Sequence, residues 1–128
     1  MSDKTAVSTT DAPAPMPVFS QGVRKGNILQ VSGQGSVDPA SGDFVFTGDV
    51  KAQTTRVLQN IEAILKAGGA SFDGVVTATV YLADMNDFAK VNEIYATYFS
   101  SPAPARATVQ VARLPKDCKV EIQVIASL

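Results

Sequence analysis

The feature that most constrains this chain is a change of hydrophobic period. Val57, Leu58, Ile61, Ile64 and Leu65 recur at helical spacing, while the stretch 75–82 that follows is dense in β-branched residues. A helical stripe of this kind must be covered by a sheet or by other helices. Asp49 offers an N-cap and Gly68-Gly69 a stop, so the spacing predicts a helix over 50–67. Phe88, Val91, Tyr95, Tyr98 and Phe99 form a second stripe, predicting a helix over 86–99 that ends at Ser101-Pro102-Ala103-Pro104.

The rest of the chain reads as strands and turns. Ile28-Leu29-Gln30-Val31 follows a Lys25-Gly26-Asn27 turn, and Phe44-Val45-Phe46 follows Asp38-Pro39-Ala40-Ser41-Gly42. Further strands are predicted over 75–82, 106–112 and 119–127. The order is β-β-β-α-β-α-β-β, without repeats. At 128 residues this is one α+β domain, a mixed sheet with two helices packed on one face. In the last strand Val120, Ile122, Val124 and Ala126 alternate with Glu121, Gln123 and Ile125. The second face is not fully polar, and it is expected to meet other subunits. Residues 1–16, rich in Ala, Pro, Ser and Thr, read as a flexible N-terminal arm, with the domain proper over 17–128. The arm lacks a secretory apolar run, and nothing approaches the ~20 apolar residues of a membrane span, so a soluble, cytoplasmic protein is expected.

Composition removes several chemistries. Histidine is absent, which excludes Ser-His, Cys-His and His-ligated metal mechanisms. One cysteine, Cys118, cannot form an intrachain disulfide. Eleven basic against twelve acidic residues give a net charge of −1, without the basic field that non-specific nucleic-acid binding uses. Catalysis would have to run on carboxylates, arginine, hydroxyls, amides and backbone groups.

Three side chains stand out on that basis. Arg106 follows the proline-rich break at the mouth of a strand. It is either a solvated surface arginine or a fork able to hold a carboxylate with two parallel hydrogen bonds. Glu121, between Val120 and Ile122, either faces solvent by alternation or sits in a cleft where desolvation makes it a usable base. Asn92 falls on the apolar stripe of its helix, as a structural hydrogen-bond partner or a ligand contact. Ser32-Gly33-Gln34-Gly35 could bring backbone N–H groups near an anion but lacks the spacing and lysine of a phosphate loop. Cys118 reads as an ordinary thiol.

Taken together, these short pieces resemble the reactive intermediate deaminase (Rid) family, also known as the endoribonuclease L-PSP or translation inhibitor family. They are Pro17-Val18-Phe19-Ser20-Gln21-Gly22-Val23, Val31-Ser32-Gly33-Gln34, Asp84-Met85-Asn86-Asp87-Phe88 with Val91-Asn92, Pro104-Ala105-Arg106, and Val111-Ala112-Arg113-Leu114-Pro115-Lys116 leading into Val120-Glu121-Ile122. The resemblance implies a chorismate mutase-like fold assembled as a homotrimer with clefts between subunits. It implies hydrolysis of enamines and imines, such as 2-aminoacrylate and its imine tautomer, to a 2-keto acid and ammonia, without metal or organic cofactor. The family's carboxylate-binding arginine falls on Arg106 and its water-positioning glutamate on Glu121. Its helix asparagine falls on Asn92, and the serine and glycine of its strand-end loop on Ser32 and Gly33.

Two positions depart from the commonest pattern: Phe19 stands where tyrosine is usual, and Thr108 where cysteine is frequent. Phenylalanine there is similar to members tied to pyrimidine catabolism, which act on 3-aminoacrylate-like compounds. A keto-acid-binding or chaperone-like trimer without turnover is a reading of another class. A ribonuclease is disfavoured by the missing histidine and the absence of an aromatic-basic stripe.

Overall fold

The computed structural model describes residues 3–128. Its elements are β1 (Thr5–Val7), β2 (Gly22–Lys25), β3 (Ile28–Gln34), α1 (Val50–Ala67), β4 (Val75–Leu82), α2 (Phe88–Tyr95), β5 (Ala105–Gln110) and β6 (Val120–Ser127). They form one six-stranded sheet in the order β1-β2-β3-β6-β4-β5. Only β4 and β5 run parallel, joined by the α2 crossover; the other pairs are antiparallel. The fold is a single α+β domain with a mixed sheet and two helices, as the periodicity predicts.

The first helix begins and ends where its sequence says it should. The Asp49 carboxylate accepts from the Ala52 N–H at 3.0 Å. At the other end Gly69 takes a left-handed φ of 84°, Gly69 N–H donates to Lys66 O, and Ala70 N–H donates to Leu65 O. Val57, Leu58, Ile61 and Ile64 are fully buried against Leu29, Val31, Val80, Val120 and Ile122 of the sheet. Each such side chain contributes about 1.5–3 kcal/mol on burial.

Three expectations are corrected. The second helix is shorter than 86–99. A 3-10 turn, Met85–Asp87, precedes it, and beyond Tyr95 the bonds Thr97 N–H to Ile94 O and Tyr98 N–H to Tyr95 O tighten the winding. Tyr98 and Phe99 thereby turn onto Phe72, with ring centres 5.4 and 5.1 Å away, edge to face. Phe44-Val45-Phe46 is not a strand. It makes one bridge, Val37 with Phe44, before Phe46 turns the chain away with a left-handed φ of 62°.

The third correction concerns the arm. Thr5, Ala6 and Val7 pair with Arg24, Val23 and Gly22, so the arm supplies an edge strand rather than an unstructured extension. Val7 and Ala12 are buried. Packing therefore starts well before residue 17. Met1 and Ser2 of that arm lie outside the described residues. The observed order is again β-β-β-α-β-α-β-β, but of the three strands before α1 only Ile28–Gln34 answers to a strand named from the sequence; Thr5–Val7 and Gly22–Lys25 are not among those named, and 44–46 is not a strand.

Both helices cover the face that carries Val120, Ile122, Val124 and Ala126, all buried. The opposite face presents Glu121, Gln123 and Ile125, half-buried, beside exposed Ile28 and Val109. No helix of the described residues is long and apolar enough to cross a membrane.

Candidate functional site

Glu121 lies in β6 opposite Tyr81, on the face away from the helices. The β3–β6 register shifts between Val31 and Gln34, which brings the Ser32-Gly33 backbone beside the Glu121 side chain. A methyl group built on Gly33 would stand 2.5 Å from Glu121 Oε2. Only glycine leaves the carboxylate its place there. Among the described residues, no hydrogen bond or ion pair claims that carboxylate, and burial pushes it above its ordinary pKa of 4.5.

A cavity of about 790 Å³ opens over these atoms, lined by Phe19, Ser32, Gly33 and Glu121 together with Phe44 and arm residues Pro13 to Met16. Phe19 is 46% exposed and presents a ring without a hydroxyl. The Ser32 hydroxyl is already committed, donating to Ser20 O at 2.6 Å, and Ser32 N–H donates to Gln21 O at 2.9 Å. These bonds dock the Phe19–Gln21 segment onto the end of β3. Lys116 reaches the same cavity from the turn Pro115–Asp117, which the Arg113 guanidinium holds by a forked pair to Asp117 at 2.7 and 3.1 Å. Cys118 is buried beside it, and desolvation chiefly, with the charge of Glu121 second, pushes its thiol up to about 11. It stays protonated at neutral pH and offers no nucleophile.

Arg106 and Thr108 belong to a different neighbourhood. In β5 they pair with Ala78 and Val80, whose side chains face the helices. The Arg106 guanidinium carbon stacks 4.7 Å from the ring centre of Tyr95 and 5.5 Å from that of Phe88, both on α2. Stacking of this kind contributes about 0.5–2 kcal/mol and leaves the edge donors of the fork free. No carboxylate lies within ion-pair reach of Arg106 among the described residues. Asn92 sits between Phe88 and Tyr95 on the same helical stripe, half-buried, with no side-chain hydrogen bond among the described residues. The Tyr95 hydroxyl and Thr108 Oγ1 are buried without hydrogen-bond partners among the described residues.

The seven sequence candidates thus fall into two groups. Phe19, Ser32, Gly33 and Glu121 meet at one cavity; Arg106, Asn92 and Thr108 gather on the other side of the sheet, near its β5 edge. One chain does not bring the groups together. Sequence reasoning missed Tyr95 and Phe88 as partners of Arg106, because aromatics at helical spacing read as core. It also missed the cavity-lining role of Pro13 to Met16, whose proline-rich composition reads as a tail.

Comparison with known proteins bears on what such an arrangement serves. The profile of the endoribonuclease L-PSP family matches residues 9–128. A RutC family protein of Pyrococcus horikoshii is 51% identical over 96% of this chain and 97% of its own length. A mouse protein named 2-iminobutanoate/2-iminopropanoate deaminase is 49% identical over 96% of this chain and 90% of its own. The crystal structure of Escherichia coli TdcF with bound serine superposes with a TM-score of 0.90 at 38% identity, covering 97% of this chain and 98% of that one. With a profile match across nearly its whole length, this chain belongs to the endoribonuclease L-PSP, or Rid, family.

Proposed function

We propose that this protein hydrolyses reactive enamine and imine intermediates of the 2-aminoacrylate/2-iminopropanoate kind, releasing a 2-keto acid and ammonia. The observation that carries the reading is Glu121, a carboxylate without a partner, raised by burial, over a glycine at the floor of a cavity. The deaminase name of the mouse relative at 49% identity supports the substrate class.

An α-imino acid is already electrophilic, so water suffices as nucleophile. In the proposed reaction Arg106 holds the substrate carboxylate with its free fork, and that anchoring orients the C=N bond. Glu121 accepts a proton from water as the oxygen bonds to the imine carbon. It returns the proton to the nitrogen of the resulting carbinolamine. A second transfer through Glu121 then moves the hydroxyl proton to that nitrogen as the C–N bond breaks, so ammonia departs and the carbon is left as a ketone. A pKa above the ordinary glutamate value suits this shuttling near neutral pH.

Because Arg106 and Glu121 face opposite sides of one sheet, the reading includes a homotrimer in the cytoplasm whose clefts pair the Arg106 group of one subunit with the Glu121 group of the next. The apolar residues left exposed on the open face, Ile28 and Val109, accord with burial in such an assembly. Phe19, the phenylalanine similar to that of members acting on 3-aminoacrylate-like compounds, favours testing 3-aminoacrylate beside 2-aminoacrylate. The decisive experiment measures release of ammonia and of the oxo acid, a 2-keto acid from 2-aminoacrylate and an aldehyde acid from 3-aminoacrylate, from each enamine generated in situ, with wild type and Arg106→Ala. Release that depends on Arg106 supports hydrolysis; keto-acid binding without release would replace it with a binding protein.

A further inference from the structure

Gln21 belongs to the Pro17–Val23 motif, yet no step of the proposed reaction uses it. It is 2% exposed. Its Nε2 donates to Thr9 O and Pro13 O at 2.9 Å each and to Ala12 O at 3.2 Å. Its Oε1 accepts from Thr9 N–H at 2.7 Å. A primary amide has two N–H groups, here shared among three arm carbonyls, and a carbonyl that accepts one of its two possible bonds from the arm. The backbone carbonyl of the same residue accepts from Ser32 N–H at 2.9 Å. One residue thus ties the arm to the end of β3, where Glu121 lies over Gly33.

The segment that follows these bonds, Pro13 to Met16, lines the Glu121 cavity. It has two prolines, which cannot donate, and among the described residues its one backbone hydrogen bond to a loop neighbour is Phe19 N–H to Met16 O. At its start Pro13 O accepts from Gln21 Nε2, a bond that joins the segment to β2 and the end of β3. We propose that Gln21 is a positioning residue that fixes Pro13 to Met16 as a wall of the cavity, and that this wall sets the size of substrate side chain admitted. The size-selection part rests on the deaminase reading; the anchoring part does not.

The test uses the full-length protein with Gln21→Leu, which removes the bonds at similar volume, and Pro15→Gly, which loosens the wall at an exposed position. Hydrogen exchange of the amides in 9–16 is expected to rise about tenfold or more in Gln21→Leu. The ratio of kcat/KM for the imino acid of leucine to that of alanine is expected to rise about tenfold in both variants, in the range that one or two methylenes are worth in a pocket. A merely structural role would lower the melting temperature without moving that ratio. Unchanged exchange in Gln21→Leu overturns the anchoring. An unchanged ratio overturns the size selection, and Pro15→Gly decides this even if Gln21→Leu fails to fold. If the wild type hydrolyses neither imino acid, the deaminase reading fails, while the exchange result still decides what Gln21 holds.

Discussion

Arg106 and Glu121 stand on opposite faces of one sheet: Arg106 shares a row with Ala78 and Val124 on the helix side, and Glu121 shares a row with Tyr81 on the open side. A site needing both must be completed by a second copy. Mixing two inactive variants, Arg106→Ala and Glu121→Gln, should therefore restore activity. Random mixing in a closed ring leaves about a quarter of the sites with both native halves, so about a quarter of wild-type turnover is expected. Activity no greater than that of the separate variants, after confirmed subunit exchange, would place both residues in a site within one chain.

Arg106→Lys should be severely impaired, by about a hundredfold in kcat/KM, because lysine supplies charge without the fork. Its melting temperature should fall only slightly, since Arg106 carries two ring contacts but no ion pair among the described residues. Steady-state kinetics paired with calorimetry check this. A lysine variant at full rate would return Arg106 to a solvated role.

Glu121→Gln should cost about 10²–10⁴ in rate while retaining the fold. The pH dependence has a defined sign. The folded pKa lies above the ordinary 4.5, so Glu121 favours folding fully only below that value, and the contribution is lost as pH rises through the folded pKa. The variant should melt like wild type at pH 4 and at or slightly above it at pH 7. A lower melting temperature at pH 7 would mean that the ionised carboxylate has a stabilising partner.

Gly33→Ala places a methyl group 2.5 Å from Glu121 Oε2. The carboxylate is the end of a flexible side chain and can swing aside, so the fold should persist while the proton-transfer geometry is lost. Turnover is expected to drop by about 10²-fold. Wild-type activity would show that the carboxylate works from another rotamer.

Deleting residues 3–8 removes β1 and exposes the neighbours of Val7, which is 6% exposed. After allowing for the ordering of the strand, a loss of about 1 kcal/mol is expected, read as a melting temperature lower by a few degrees. An unchanged melting temperature would restore the reading of the arm as an appendage.

Much of the fold was legible because it is written locally. The α1 stripe, its Asp49 cap and its glycine stop lie within 21 residues, and the structure reproduces the predicted bounds, Val50–Ala67. Strand β4 likewise matches 75–82, since β-branched residues favour the extended backbone without reference to partners. The misses each depended on a distant partner. Tyr98 and Phe99 leave the helix register for Phe72, and Thr5–Val7 becomes a strand because β2 offers it an edge.

The site divides in the same way. Residue chemistry left Arg106, Glu121 and Asn92 each with a structural reading beside a functional one, and it was the family resemblance carried by the short motifs that grouped them with Gly33 as a site. Alternation along a strand defines two faces but not which one a ligand meets. That choice depends on the register of β5 and β6 against β4, set by contacts between segments distant in sequence. Only the tertiary structure put Glu121 over Gly33, stacked Arg106 on Tyr95, and left the two on opposite sides of the sheet.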